Sequence, residues 1–322
     1  MLKRNTIMAF VAIAAIGLLA ACGSGRDDIA SSAAEPGSGD STLSGAIVLD
    51  GSSTVAPLAT VLAEKFEAQA PNVRVTVGTS GTGGGFEKFC NGETDVSNAS
   101  RAIKDEEKAL CADKGITFIE ILVANDGLSL VTNTANDWAT CLTTDQLMAI
   151  WGPDSKATTW QEIDPTWPAE KLNLYGPGTD SGTFDYFTEE INGEGGASRT
   201  DYSPSEDDNV TIQGVTGEKG GLGYFGLSYY EQNTDKLKLM EIDGGNGCVA
   251  PSTKTVQDGS YTPLSRPLYL YVSNTASSRP EVQAFFQYFV DNEAAINTEA
   301  LFVPLSADQL ATAKTEVAGL AG

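Results

Sequence analysis

Ala46-Ile47-Val48-Leu49-Asp50-Gly51-Ser52-Ser53-Thr54 begins as a short apolar run and ends in a cluster of glycine and hydroxyls. Leu58, Val61, Leu62 and Phe66 follow at helical spacing, with Pro57 tolerated in the first turn and Thr54 placed to cap it. The reading is strand, hydroxyl-rich turn, helix. The unit recurs: Val73 to Val77 alternates as a half-buried strand, Ser80-Gly81-Thr82-Gly83-Gly84-Gly85 forms the turn, and Phe86 to Cys90 starts a helix. Asp95 to Ala99 then reads as a short strand ending at Ser100-Arg101, before a charged, helix-forming Lys104 to Leu110. Such repeats predict an α/β sheet whose ligand sits beyond the carboxyl ends of the strands.

A fourth stretch of the same kind is Gly178-Thr179-Asp180-Ser181-Gly182-Thr183-Phe184-Asp185-Tyr186-Phe187. Its first half is too rich in glycine and hydroxyls to be core, and Phe184 to Ile191 has helical spacing, so a loop runs into a helix. That junction presents free backbone N–H groups and a favourable dipole to an anion. An ordinary N-cap at Thr179, Asp180 or Ser181 is the alternative; the three earlier turns favour the anion site. Nucleotide motifs do not fit. The run at 81–85 lacks the lysine of a P-loop and gives no convincing G-x-G-x-x-G with its partner acid.

Between these motifs, Ile116 to Val123 and Leu128 to Thr132 read as two strands joined by Asn125-Asp126-Gly127, where the chain first crosses into a second lobe. Thr143 to Gln146 has capping-box spacing and opens a helix to Trp151. Leu172 to Tyr175 is a strand and Glu194 to Asn209 a loop. Gly220 to Leu227 is a buried strand, with a place in the cleft wall as its other reading. Arg266 to Val272 is the return crossing, and helices at Val282 to Asn292 and Ala307 to Ala318 pack on the first lobe.

Composition narrows the chemistry. There is no histidine, which excludes Ser-His-Asp and Cys-His catalysis and histidine metal sites. Lys3 and Arg4 precede an apolar run, Ile7 to Ala21, which closes in Leu19-Ala20-Ala21-Cys22 and resembles a bacterial lipoprotein signal peptide. The run is short of the roughly 20 residues that span a bilayer. The resemblance implies a leader at 1–21 and a lipid on Cys22; 22–44, nearly free of large apolar residues, reads as a flexible tether. The formal charge of −23 becomes two units more negative once Lys3 and Arg4 are cleaved off, so nucleic acid and acidic lipid headgroups are excluded as partners. An anion would have to be held by local dipoles against the net charge.

Taken together, Asp50 to Thr54, Ser80 to Phe86, Ser97-Asn98-Ala99-Ser100-Arg101, Asp180 to Thr183 and Ser265-Arg266-Pro267-Leu268-Tyr269 resemble, in order, the phosphate-binding proteins of bacterial phosphate ABC transporters. The resemblance implies a two-lobed periplasmic-binding-protein fold of type II, with two crossovers, each lobe a mixed sheet flanked by helices. The lobes are expected at 45–125 with 268–322, and at 126–267. It further implies an exported, monomeric lipoprotein, not an enzyme and without cofactor or metal, that closes on inorganic phosphate and delivers it to the permease subunits of the transporter. Carried over by position, first-lobe contacts fall on Ser53, Thr54, Thr82, Gly83, Ser100 and Arg101, and second-lobe contacts on Asp180, Ser181, Gly182 and Thr183. Two positions depart from the best-known branch: Arg101 replaces an aspartate that accepts the phosphate proton, and Pro177 replaces an arginine. Arg101 offers a planar fork to phosphate oxygens, with a salt bridge to Asp95 or Asp105 as its alternative role. Asp180 is the first candidate for the missing acceptor and Asp185 the second. Cys90, Cys111, Cys141 and Cys248 suggest two disulfides in an exported chain, and no pair has zinc-type spacing. Of three connectivities, Cys90–Cys111 and Cys141–Cys248 keep each bridge within one lobe. The competing functions are sulfate or molybdate binding, a phosphoryl-transfer or hydrolytic enzyme, and an adhesive surface lipoprotein.

Overall fold

The computed structural model describes residues 42–179 and 181–321. The expected leader, the lipid-bearing Cys22, most of the tether and the candidate acceptor Asp180 lie outside the described residues. Strand β1 (Ser44–Gly51) leads into helix α1 (Ala56–Gln69), β2 (Asn72–Val77) into α2 (Gly81–Cys90), and β3 (Val96–Ala99) is followed by α3 (Asp105–Asp113). β1 is parallel to both β2 and β3. α1 forms because Leu58, Leu62 and Phe66 fall on one buried face and Pro57 needs no N–H in the first turn. Its cap is Val55, however, and not Thr54, whose hydroxyl is engaged elsewhere. The glycine run also differs from expectation. α2 begins at Gly81 and takes in the whole run, because the helix packs on the end of β1: a Cβ on Gly85 would come within 2.5 Å of the Gly51 Cα.

The segment expected as two strands is one, β4 (Phe118–Asn133). Asn125-Asp126-Gly127 reads as a turn by composition, but cross-strand pairing keeps it extended, and Gly127 serves a close approach instead of a turn, since a Cβ there would come within 2.5 Å of Val256 Cγ2. Beyond β4 lie β5 (Cys141–Thr143), α4 (Thr144–Trp151), β6 (Asn173–Gly176) and α5 (Gly182–Asn192). The capping box at Thr143 and Gln146 is formed. Next come β7 (Ser203–Pro204), α6 (Asp208–Gly217), β8 (Gly221–Gly226), α7 (Leu227–Glu231), β9 (Leu237–Leu239), β10 (Glu241–Asp243), β11 (Cys248–Val249) and α8 (Thr253–Gln257). The segment expected as loop therefore contains β7 and the first two residues of α6, started by an Asp207 cap. The chain returns through β12 (Ser265–Ser273) to α9 (Asn274–Ser277), α10 (Pro280–Glu299) and α11 (Ala307–Ala318). α10 outruns its expected end at Asn292 because buried Glu293 accepts from Leu305 N–H and the Asn297 amide, which lets a polar turn stay inside.

The main sheet runs β2-β1-β3-β12-β4-β8-β6-β7, with β9 also on β4. β4 spans both lobes: its first half pairs with β12 and its second with β8. One core gathers Leu58, Leu62 and Phe66 of α1 with Phe285, Phe286 and Phe289 of α10. The other centres on Trp151, Trp160, Phe187 and Tyr224. This is a two-lobed mixed α/β fold with strands β4 and β12 crossing between lobes. The sulfurs are joined as Cys90–Cys111, between α2 and α3, and Cys141–Cys248, across the small sheet β11-β10-β5. Among the described residues no helix is long and apolar enough to cross a membrane.

Candidate anion-binding site

The helices that follow strand ends converge on one cleft of about 510 Å³. Ser52, Ser53 and Thr54 bring the entry of α1, Gly81, Thr82 and Gly83 the first turn of α2, and Gly182 the first residue of α5. The approach between lobes is close. A Cβ on Gly182 would stand 2.5 Å from Thr54 Oγ1 and 3.1 Å from the Thr54 N and Cα, so only glycine lets the start of α5 rest on the turn before α1. Backbone N–H groups at such helix starts have no intrahelical acceptor, and their dipoles favour negative charge.

Lower in the first lobe, Asp50 fixes the turn before α2. It accepts from Ser80 N–H at 2.9 Å, Ser80 Oγ at 2.7 Å and Lys88 Nζ at 2.5 Å; burial opposes its charge, but these donors hold its carboxyl below the ordinary range. Thr82 and Ser100 share a hydroxyl contact at 3.1 Å, and Ser100 N–H donates to Thr82 Oγ1 at 3.3 Å. Arg101 lines the cleft beside them. Its salt bridge goes neither to Asp95 nor to Asp105 but to Glu107, with Nη1 and Nη2 each 2.8 Å from a carboxylate oxygen. Glu107 is partly buried, which works against its charge, yet Arg101 and the Lys104 N–H hold its carboxyl below the usual value. The Nη1/Nη2 end of the guanidinium is thus occupied, and among the described residues its Nε donates to no protein acceptor.

Ser53, Thr54, Thr82, Gly83, Ser100, Arg101 and Gly182 all line the cleft. Ser181 and Thr183 do not: Ser181 Oγ accepts the Thr183 N–H at 3.2 Å and serves as the N-cap of α5. Asp185 does line it, and burial pushes its carboxyl up, with Arg266 pulling it back and Glu189 reinforcing the rise. Glu189 and Glu190 continue this acidic wall.

Arg266 is not among the residues that sequence assigns to the ligand: it stands in the Ser265 to Tyr269 stretch that carries part of the family resemblance, but that run reads as a crossing strand, and an arginine among Pro267, Leu268 and Leu270 is the further signal there. Its Nε lies 3.2 Å from Asp126 Oδ2, its Nη2 donates to Thr54 Oγ1 at 2.9 Å, and its guanidinium carbon is 3.7 Å from the centre of the Tyr186 ring. Burial raises the Asp126 carboxyl while Arg266 draws it down. Among the described residues the one grouping of potential metal ligands is Cys141, Glu241 and Cys248, and its sulfurs are spent in a disulfide.

Residues 32–293 match the PBP superfamily domain. The chain is 46% identical over 264 residues to protein SphX of Synechococcus elongatus, covering 81% of this chain and 78% of that one. It is 41% identical over 306 residues to the phosphate-binding protein PstS of Staphylococcus saprophyticus, covering 94% and 91%. A crystal structure of a possible phosphate-binding protein from Planctomyces limnophilus superposes with a TM-score of 0.83 at 44% identity, over 87% of this chain and all of that one. A helix-lined cleft between two lobes and this extent of identity lead to one conclusion: the chain belongs to the PBP superfamily and, within it, to the PstS family of phosphate-binding proteins.

Proposed function

We propose that this protein binds inorganic phosphate between its lobes and hands it to the permease of an ABC transporter. The observation that carries the reading is the convergence of the starts of α1, α2 and α5 on one cleft that also contains Arg101. Phosphate is held from the first lobe by Ser53, Thr54, Thr82, Gly83, Ser100 and Arg101. From the second lobe it is held at the start of α5 by Gly182, and Ser181 and Thr183 join it by exchanging their present bonds, Ser181 N–H to Gly178 O and Thr183 N–H to Ser181 Oγ, for the anion. The lobes divide as 45–125 with 268–322, and 126–267. Closure removes water, so several modest hydrogen bonds act together in a low dielectric.

Hydrogen phosphate carries a proton that sulfate lacks, so a carboxylate acceptor rejects sulfate by repulsion. Asp180 or Asp185 fills that role, and the place of Asp185 in the cleft supports it. Lipidation of Cys22 tethers the monomer to the outer face of the membrane, beside its permease. Titration calorimetry of the mature protein, freed of ligand, with phosphate, sulfate and molybdate near neutral pH is the test. One-to-one binding of phosphate with sulfate excluded is the expected result. Preference for sulfate or molybdate would reassign the ligand, and silence toward all three would remove the reading.

A further inference from the structure

Arg266 belongs to neither lobe's set of turns. It stands on β12 directly opposite Asp126 of β4, where the two crossing strands pass between lobes. From there it reaches Thr54, at the entry to α1 in the first lobe, and lies over Tyr186 of α5 in the second. We propose that Arg266 is a second anion-binding cation of the cleft, contributed by the hinge, and that Asp126 is its positioning residue. The inference rests on the phosphate reading above.

Hydrogen-bond valence carries the argument. A guanidinium has five N–H donors in a fixed fork. In Arg266 the Nε–H is directed at Asp126 and one Nη2–H at Thr54, so both belong to the same side of the fork. Among the described residues Nη1 donates to no protein acceptor, although the side chain is only 12% exposed and what is exposed lines the cleft. These donors are not sealed in the core but open on the cleft, and phosphate oxygens are good acceptors for a planar fork. Thr54 is set up by the same contact. Its oxygen accepts from Arg266, so its own hydrogen must point away from the guanidinium and is free to donate to the anion.

Asp126 makes this placement tolerable without ligand. It is 6% exposed and faces Arg266 across the strand pair, so the buried guanidinium has a counter-charge when the cleft is empty. Because the contact is to Nε alone, the far end of the fork stays open. An anion bound there meets a group that already touches both lobes and the hinge, which ties occupancy to their relative position.

The test is calorimetric titration of phosphate into the mature wild type, Arg266→Lys, Arg266→Ala, Asp126→Asn and the double variant Arg266→Met with Asp126→Asn, which leaves no buried unpaired charge. The double variant should melt cooperatively yet bind phosphate roughly 30-fold or more weakly. Arg266→Lys should recover only part of that loss, because an ammonium cannot serve Asp126, Thr54 and phosphate together. Thr54→Val should add little to Arg266→Ala, a coupling that a purely structural arginine would not show. Asp126→Asn should weaken phosphate binding by about tenfold. A folded double variant within about threefold of the wild type would overturn the role of Arg266. An unchanged affinity in Asp126→Asn would overturn that of Asp126. A wild type that ignores phosphate would instead defeat the reading underneath, and this inference with it.

Discussion

Replacing Gly182 by alanine adds one carbon at the point where the lobes meet. The new Cβ would lie 2.5 Å from Thr54 Oγ1 and 3.1 Å from the Thr54 N and Cα, against an ordinary carbon contact of roughly 3.5 Å. The hydroxyl could rotate away, at the loss of its bond to Arg266, but backbone atoms cannot, so α5 must withdraw from α1 by several tenths of an ångström. Overpacking of this kind costs about 1–3 kcal/mol. If it falls wholly on the closed liganded state, phosphate affinity drops by roughly 5- to 150-fold. The folded protein without ligand should be nearly indifferent, because Gly182 is the first residue of α5 and packs across the cleft and not into either core; alanine is also the better helix former. Calorimetry and thermal melts of Gly182→Ala therefore separate the two effects: weaker phosphate binding with an unchanged or higher Tm in the absence of ligand. An affinity equal to the wild type's would refute the claim that closure brings α5 onto the turn before α1.

Arg101→Ala should weaken phosphate binding by about 2 kcal/mol, the low end for a charge-assisted contact because its side chain is partly exposed; a titration that gives the wild-type constant would confine Arg101 to its bridge with Glu107. The Asp208 carboxyl is raised to about 6 by burial and by its neighbours Asp207 and Glu206. A raised acid favours folding fully below its unfolded value near 4 and loses that contribution as pH climbs through about 6. Asp208→Asn should thus raise Tm at pH 8 relative to the wild type and leave it little changed at pH 4, measured by melts across that range. Alanine at both Cys141 and Cys248, whose separation is 107 residues, should cost about 4–5 kcal/mol in chain-entropy terms, against about 3 kcal/mol for Cys90 and Cys111 at a separation of 21. Urea unfolding of the two double variants checks the order.

Much of the fold could be read from local chemistry because its units are local. Leu58, Leu62 and Phe66 declare α1 by spacing, and Thr143 with Gln146 declares α4 by its capping box. What failed was composition overruled by distant partners. Asn125-Asp126-Gly127 has the residues of a turn but lies extended against β12, and the glycines at 81–85 look like loop but coil into α2 because Gly85 must meet Gly51. Both exceptions lie at the crossing or the cleft. The site followed the same pattern. Thr82, Ser100 and Gly182 were legible because turns at strand ends are visible in sequence, whereas Arg266 depends on being opposite Asp126 across a strand pair, 140 residues away. The partner of Arg101 was misread for a simpler reason: Asp95, Asp105 and Glu107 are all within reach by sequence, and only the capping geometry of α3 brings Glu107 back to Lys104 and Arg101.

The pairing of both arginines explains how so acidic a chain can receive an anion. With a formal charge of −23 and the Asp185, Glu189 and Glu190 wall in the cleft, long-range attraction is not available. A bare arginine would draw any anion, sulfate included, while an arginine matched to a carboxylate, as Arg101 is to Glu107 and Arg266 to Asp126, contributes direction more than charge. The remaining pull comes from helix starts, whose dipoles act within about one turn and only on a ligand that has shed its water. On the function proposed above, recognition is then decided at contact, by how many oxygens find donors and whether a proton finds a carboxylate. A fully ionised tetrahedral anion offers the oxygens without the proton, and against this acidic wall that one missing hydrogen bond becomes a repulsion.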